Sequence, residues 1–180
     1  SYDEITDVLI QPPVEDNYTV TIPEGYEFRQ IVDLLEENGI INREIFLREA
    51  ESGEFDFDFV KQIPRRENRL EGYLFPDTYT FSPEDGEHLV ILRMLENFNN
   101  KAMPVINEAN SGRSVDDIVI LSSIIEREAA SDVDRGKVVS VFVNRLNIGM
   151  KLESCATVQY ILKERKSVLS NEDTKIDSPY

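Results

Sequence analysis

The pattern of hydrophobic and polar positions divides the first 60 residues into short elements. Apolar and threonine side chains alternate over residues 18–22, and this period of two predicts a half-buried strand. Apolar residues then recur at helical spacing over residues 28–39, where a closing Asn-Gly pair predicts the helix end. A second short helix is predicted over residues 42–53. Phenylalanines alternate with aspartates over residues 55–59, which predicts a satellite strand with an acidic solvent face.

The rest of the chain is predicted to be mainly helical. The aromatic segment 71–79 contains glycine and proline, so it cannot be one regular element. A Ser-Pro pair predicts a helix over residues 82–98, and Pro104 is expected to break or kink the chain beyond it. Ser114 and Asp117 resemble a capping box, which predicts a helix that runs to about Ala130. Together these elements predict an α+β fold, with a small β-α module before a mainly helical domain with short strands.

The distribution of charged residues also divides the chain into two regions. The 180 residues include 35 acidic and 19 basic residues, a net charge of −16, which argues against a nucleic-acid or anionic-lipid surface. Residues 1–60 hold 16 acidic and 3 basic residues, whereas residues 61–180 are nearly balanced. We therefore predict a domain boundary near residue 60. The single cysteine excludes an internal disulfide, and no apolar run approaches the length of a membrane helix.

Two glutamates near the end of the helix predicted from Ser114 could carry acid chemistry. Glu126 and Glu128 project about 200° apart on a helix that turns about 100° per residue, so they cannot face one cleft. Glu128 follows Ile124 and Ile125 on the apolar side of the helix. The corresponding neighbours of Glu126 are both serines. The helical wheel therefore selects Glu128 and keeps Glu126 as the alternative acid.

An apolar setting suits a general acid. Burial raises the pKa of a carboxyl group because it disfavours the charged form, and the C-terminal end of a helix acts in the same direction. A carboxyl that stays protonated near neutral pH can donate its proton to a leaving group. The competing interpretation is that both glutamates form a solvated edge or pair with cations, since perturbed carboxylates are only a probabilistic signal.

Four stretches, in order, resemble the endolytic murein transglycosylase, or YceG-like, family. They are VTIPEGYEFRQIVDLL from Val20, LEGYLFPDTYTF from Leu70, ILSSIIEREA from Ile120 and VVSVFVNRLNIGMKLESCATVQYIL from Val138. The second and fourth stretches are long and unusual. With the spacing between them, the four cover most of residues 18–180.

The resemblance implies a membrane-anchored bacterial enzyme on the extracytoplasmic face of the cell membrane. Such enzymes cut nascent peptidoglycan strands internally, between N-acetylmuramic acid and N-acetylglucosamine, and leave a 1,6-anhydromuramoyl end. Residues 1–60 are then expected to be a partial LysM-like subdomain, and residues 61–180 a C-terminally truncated catalytic domain. The family's catalytic glutamate precedes a small residue at a helix end, which corresponds here to Glu128 followed by Ala129.

One acid is sufficient for the reaction that the resemblance implies. Glu128 would protonate the glycosidic oxygen and then accept the proton of the muramic acid 6-hydroxyl as it closes onto C1. Ordinary glycosidases need two carboxylates, but here the nucleophile is intramolecular and proximity replaces the second. No metal or cofactor is expected. The single histidine, His88, lies on an unrelated helix and offers Cys155 no catalytic partner.

Weaker candidates for substrate binding come from two regions. The aromatic segment supplies Glu71, Tyr73 and Tyr79, which could line a sugar cleft; the alternative is a packed turn that covers a core. On the helix predicted to end at Gly149, Asn144 could hold an N-acetyl group and Arg145 a carboxylate. Their alternative roles are internal capping and ion pairing.

Glu153 and Thr157 complete the candidates, in a loop that enters a short helix. Ser154, between them, suits the N-cap of that helix. Cys155 and Ala156 occupy positions where many members of the family have Asp-Pro. We expect Cys155 to be a small buried or half-buried side chain and not a nucleophile.

The family extends beyond both ends of this sequence, so a truncated ectodomain fragment with an incomplete cleft is expected. The leading hypothesis is a lytic transglycosylase that acts on peptidoglycan glycan strands beside peptidoglycan synthases, with its membrane anchor missing here. The alternative is a non-catalytic wall-binding or scaffold protein of the synthesis machinery. Neither hypothesis involves nucleic acid.

Overall fold

The computed structural model describes residues 17–129, 132–163, 166 and 169–175, with the side chains of residues 132 and 133 excluded. The chain divides into two compact units, Ser1–Asn110 and Ser111–Tyr180. The boundary expected near residue 60 does not coincide with this division. The change in charge marks a difference in surface composition, whereas the first unit is held together by pairing between strands on either side of that position. The LysM-like and catalytic labels stay predictions.

Residues 17–110, the described part of the first unit, contain two strands and four helices. Their order is β1 (Tyr18–Thr21), α1 (Phe28–Glu37), α2 (Arg43–Ser52), α3 (Asp58–Gln62), β2 (Thr78–Phe81) and α4 (Glu87–Ala109). The strands form an antiparallel pair, in register from Tyr18 opposite Phe81 to Thr21 opposite Thr78. Val20 and its partner Tyr79 are both buried, so this face of the pair packs inward.

Local sequence explains why α1 and α2 begin where they do. Gln30 accepts a hydrogen bond from the Glu27 amide at the start of α1. The Asn42 side chain accepts one from the Ile45 amide and caps α2. These helices and the first strand confirm the predictions for residues 18–53. The mainly helical α+β class is likewise confirmed.

Three predictions for the first unit are wrong. The alternating segment 55–59 is not a strand: Asp58 begins the short helix α3, and Phe57 is its N-cap. The Ser-Pro pair at residues 82–83 lies in a turn before α4, where the Asp85 carboxylate accepts from the Ser82 amide. The break expected at Pro104 is wrong, since α4 continues through it to Ala109: an exposed proline costs the helix one hydrogen bond but leaves the buried upstream turns intact. A kink at this position stays a prediction.

Three aromatic rings pack together in the first unit, one pair stacked and two pairs tilted. Phe59 lies 5.9 Å from Tyr73 and 5.0 Å from Phe98, and the rings of Tyr73 and Phe98 are 5.2 Å apart. All three are buried, which explains why α3 and the turn before β2 pack onto α4.

The second unit is helical. It consists of α5 (Val115–Glu128), α6 (Asp132–Asn147), α7 (Cys155–Leu162) and a 3-10 turn at Asp173–Lys175. The Ser114 side chain caps α5 by accepting a hydrogen bond from the Asp117 amide. The Asp117 carboxylate accepts one from Ser114 in return, which confirms the predicted capping box. Across the described ranges of both units, no helix is long and apolar enough to cross a membrane.

The core of the second unit is small. Ile124, Ile125 and Phe142 are its buried members, and they join α5 to α6. Half-buried apolar residues surround them: Leu121, Val138 and Leu152. Since the last of these lies in the loop before α7, the core also ties down the loop that approaches the end of α5.

Candidate active site

Glu128 is the last residue of α5, in the second unit. Ala129 leaves the helix with an extended backbone, so α5 ends slightly before the predicted position near Ala130, which lies outside the described residues. Glu128 is half-buried, whereas Glu126 is exposed and has no hydrogen-bond partner among the described residues. The helical wheel therefore separated the two carboxylates in the correct sense, because Ile124 and Ile125 face the core.

The Glu128 carboxylate is held by the start of α7. Its Oε1 accepts a hydrogen bond from the Ser154 hydroxyl at 2.5 Å and another from the Ala156 amide at 3.1 Å. Within the described part of the chain, Oε2 makes no hydrogen bond. The sequence placed Glu128 only against apolar side chains, and the structure adds two donors on one side of the group. The positive end of α7 lies on that side too.

Arg145 shapes the loop that carries Ser154 to this position. Its guanidinium donates to the Leu152 carbonyl at 2.5 Å and lies 3.3 Å from the Glu153 carboxylate. Glu153 has φ of +52°, in the left-handed region that side chains rarely adopt, so the chain turns sharply just before Ser154. Arg145 and Glu153 therefore pair with each other, and the internal ion pair is the role observed for both.

Thr157 and Asn144 are placed differently. The Thr157 hydroxyl donates to the Ser154 carbonyl at 2.9 Å, which stabilises the first turn of α7. Asn144 is exposed and lies about 200° around α6 from the buried Phe142, on the side away from the core. Neither side chain contacts the Glu128 carboxylate. Their roles in substrate binding stay predictions.

The three candidates of the aromatic segment belong to the first unit and have structural roles there. The Glu71 carboxylate accepts a hydrogen bond from the Phe28 amide at 2.8 Å, at the start of α1. Tyr73 is fully buried among aromatic rings, so it cannot reach a sugar. Tyr79 is also buried, and its hydroxyl donates to the Phe75 carbonyl at 2.6 Å. The prediction that these tyrosines line a cleft is therefore wrong.

Sequence reasoning missed the role of Ser154. It was expected only as an N-cap, which is confirmed because its Oγ accepts from the Ala156 amide at 3.1 Å. The hydroxyl hydrogen, however, goes to a residue 26 positions earlier, and no local pattern could reveal that contact. Cys155 is exposed, so the expectation of a buried or half-buried side chain is wrong. In the described residues no group of three His, Cys, Asp or Glu side chains could hold a metal ion.

These features define a mainly helical α+β protein in which one half-buried glutamate has one carboxylate oxygen held by two donors and the other without a hydrogen bond in the described residues. The sequence model of the YceG-like family matches residues 1–180, so the chain belongs to the YceG-like family. The resemblance seen in its four stretches is thereby confirmed.

Three relatives illustrate the similarity. The endolytic murein transglycosylase of Bacillus subtilis (strain 168) is 29% identical over 175 residues, which cover 91% of this chain and 49% of that protein. The protein of the same name from Streptococcus pneumoniae (strain D39) is 30% identical over 184 residues, covering 90% of this chain and 33% of that protein. A crystal structure of a yceG-like protein from Listeria monocytogenes superposes with a TM-score of 0.76 at 30% identity, over 99% of this chain and 63% of that one.

The chain thus spans about half the length of the Bacillus relative and a third of the Streptococcus relative. The family match covers the whole chain. The activity, substrates and partners of a whole protein of this family are a separate matter.

Proposed function

We propose that this chain acts as an endolytic lytic transglycosylase of peptidoglycan, with Glu128 as its single acid and base. The supporting observation is the asymmetric setting of Glu128. One carboxylate oxygen is held by two donors, and the other makes no hydrogen bond within the described residues. The names of the relatives support the choice of reaction, since two of them are called endolytic murein transglycosylases.

In the proposed reaction, Glu128 first donates a proton to the oxygen that links N-acetylmuramic acid to N-acetylglucosamine. The bond from that oxygen to C1 of the muramic acid breaks, and positive charge develops on the sugar ring. The 6-hydroxyl of the same sugar then attacks C1 and gives its proton to the ionised Glu128. The carboxyl group returns to its starting state, and no water is consumed.

This mechanism needs only one catalytic carboxylate. A hydroxyl that is already part of the reacting sugar has a high effective concentration, so it needs no second residue to activate it. Glu126 is exposed and about 200° from Glu128 on α5, which leaves it poorly placed for a role as partner carboxylate. A half-buried carboxyl at the end of α5 is suited to proton transfer in both directions.

We further propose that the protein works on the extracytoplasmic face of the bacterial cell membrane, where glycan strands are polymerised. Its substrate there would be nascent glycan, and peptidoglycan synthases would be its neighbours. Fractionation of cells, with protease added from outside, tests this location. Protection of the protein from the protease in intact, wall-stripped cells would contradict it.

The reaction type is tested with purified glycan strands in water enriched in heavy oxygen. The intact protein is expected to release products with anhydromuramoyl ends that contain no heavy oxygen, as measured by mass spectrometry. Heavy oxygen at new reducing ends would identify a hydrolase and overturn the proposal. Unchanged strands would favour the alternative of a non-catalytic wall-binding or scaffold protein.

A further inference from the structure

Ser154 is the only buried polar residue, tyrosines aside, in the described part of the chain, at 6% exposure. Its hydroxyl has one hydrogen to donate and two lone pairs to accept with. The hydrogen goes to the Glu128 Oε1, and a lone pair accepts from the Ala156 amide, whose one hydrogen is shared between Ser154 Oγ and Glu128 Oε1. The capping of α7 therefore uses the acceptor side of this hydroxyl, and the contact with Glu128 uses the donor side.

We propose that Ser154 is a positioning residue that fixes Oε1 of Glu128 as the unprotonated oxygen and so assigns proton transfer to Oε2. This inference rests on the proposed function of Glu128. Two donors converge on Oε1, the Ser154 hydroxyl and the Ala156 amide. The carbonyl oxygen of a carboxylic acid accepts hydrogen bonds better than its hydroxyl oxygen does, so both donors are satisfied only while the proton resides on Oε2.

The same contacts restrict the rotation of the carboxyl group. If the hydroxyl were absent, the two oxygens of Glu128 could exchange places, and the proton would spend less time on Oε2, the oxygen to which we assign proton transfer. Ser154 is buried and contacts Glu128 directly, so we expect it to affect the chemical step and not the binding of the strand. Hydrogen bonds to charged groups of this kind lead us to expect an effect of about 10- to 100-fold.

The kinetic test uses the intact protein and purified glycan strands. Ser154→Ala and Ser154→Gly both remove the hydroxyl, and glycine is well tolerated as an N-cap, so the second variant guards against simple loss of α7. Both are expected to lower kcat by about 10- to 100-fold with KM unchanged. Ser154→Thr keeps the hydroxyl and is expected to restore activity. Ser123→Ala is the matched control, because the Ser123 hydroxyl donates to the Ile120 carbonyl within α5 and to no other group in the described residues.

A spectroscopic test does not depend on catalysis. In the 180-residue chain labelled with carbon-13 at glutamate carboxyl groups, the Glu128 resonance is assigned by its loss in Glu128→Gln. Its titration midpoint is expected to move to higher pH in Ser154→Gly, because the ionised carboxylate has lost a donor. The threonine variant and the Ser123→Ala control are expected to keep the original midpoint.

A failure of the inference about Ser154 can be distinguished from a failure of the proposed function of Glu128. An unchanged midpoint in Ser154→Gly would overturn the assignment of Ser154, whatever the activity of any variant. Full activity of Glu128→Gln would overturn the proposed function, and the catalytic role of Ser154 with it, even where the midpoint moves. A rise in KM with unchanged kcat in Ser154→Gly would also overturn the inference, since it would place the serine in strand binding.

Discussion

One buried isoleucine in the small core of the second unit is expected to control the stability around Glu128. Ile125 is 8% exposed, packs with Ile124 and Phe142, and lies on α5 one turn before Glu128. Replacing a buried isoleucine by alanine costs about 2 to 5 kcal/mol, from lost burial and the cavity left behind. A unit of 70 residues is typically stable by about 4 to 10 kcal/mol. Ile125→Ala should therefore remove a large fraction of this stability.

Hydrogen exchange read by mass spectrometry on the whole chain measures this change for each helix separately. Peptides from α5 and α6 should lose protection in Ile125→Ala, while those from α4 in the first unit keep theirs. Ile148→Ala is the matched control, because Ile148 is 72% exposed and its truncation should cost less than about 0.5 kcal/mol. Equal losses in the two variants, or a loss below about 1 kcal/mol in Ile125→Ala, would refute the core as described.

Three further predictions concern ionisation and capping. Lys101, with its Nζ 2.5 Å from the carboxylate, lowers the pKa of Asp77 from 3.8 to about 2, so the stability from this pair should be lost as the pH falls from about 4 toward 2. Carbon-13 NMR should show the Asp77 midpoint rise in Lys101→Met. Burial raises the pKa of Tyr79 to about 12, so its contribution should be lost as the pH rises from about 10 toward 12. Tyrosinate absorbance should lose its phase near pH 12 in Tyr79→Phe. Ser114→Ala removes the cap of α5 and should cost about 1 kcal/mol by calorimetry, whereas Ser122→Ala, at an exposed position within the helix, should not.

Each of these predictions has a clear contrary result. An Asp77 midpoint that is the same with and without the lysine would remove the ion pair as the cause of its low pKa. A phase near pH 12 that persists unchanged in Tyr79→Phe would belong to another tyrosine. Equal melting temperatures for Ser114→Ala and wild type would show that the capping box contributes no measurable stability.

Helix starts could be predicted where the signal is local. Ser114 and Asp117 cap each other across three positions, and Asn42 caps the helix that immediately follows it. A capping side chain and the amide that it serves are near neighbours in sequence, so no tertiary information is required. The same reasoning identified Ser154 as an N-cap.

The predictions that failed depended on contacts between distant parts of the chain. The alternation over residues 55–59 fits a strand, but Phe59 packs on Tyr73 and Phe98, and that packing accompanies a helical turn. Tyr73 resembled a sugar-binding aromatic residue because a sequence does not distinguish an exposed ring from one in a core. Short apolar patterns are ambiguous between strand and helix until their partners are known.

In the candidate site, too, the features set by local spacing could be predicted, and the contacts between distant residues could not. The burial of one helix face follows from spacing alone, so the sequence could rank Glu128 above Glu126. The donors that hold its carboxylate come from 26 and 28 positions later, through a loop whose turn at Glu153 depends on Arg145. Only the folded chain brings these groups together.

The central claim is that Glu128 is the acid of a lytic transglycosylase. Its most direct test compares the rate of anhydro-ended product formation by the intact protein with the rates of Glu128→Gln and Glu126→Gln on the same glycan strands. The account predicts a loss of about 100-fold or more for Glu128→Gln, the usual effect of removing a general acid, and a nearly normal rate for Glu126→Gln. A Glu128→Gln variant as active as wild type, or a loss confined to Glu126→Gln, would contradict it.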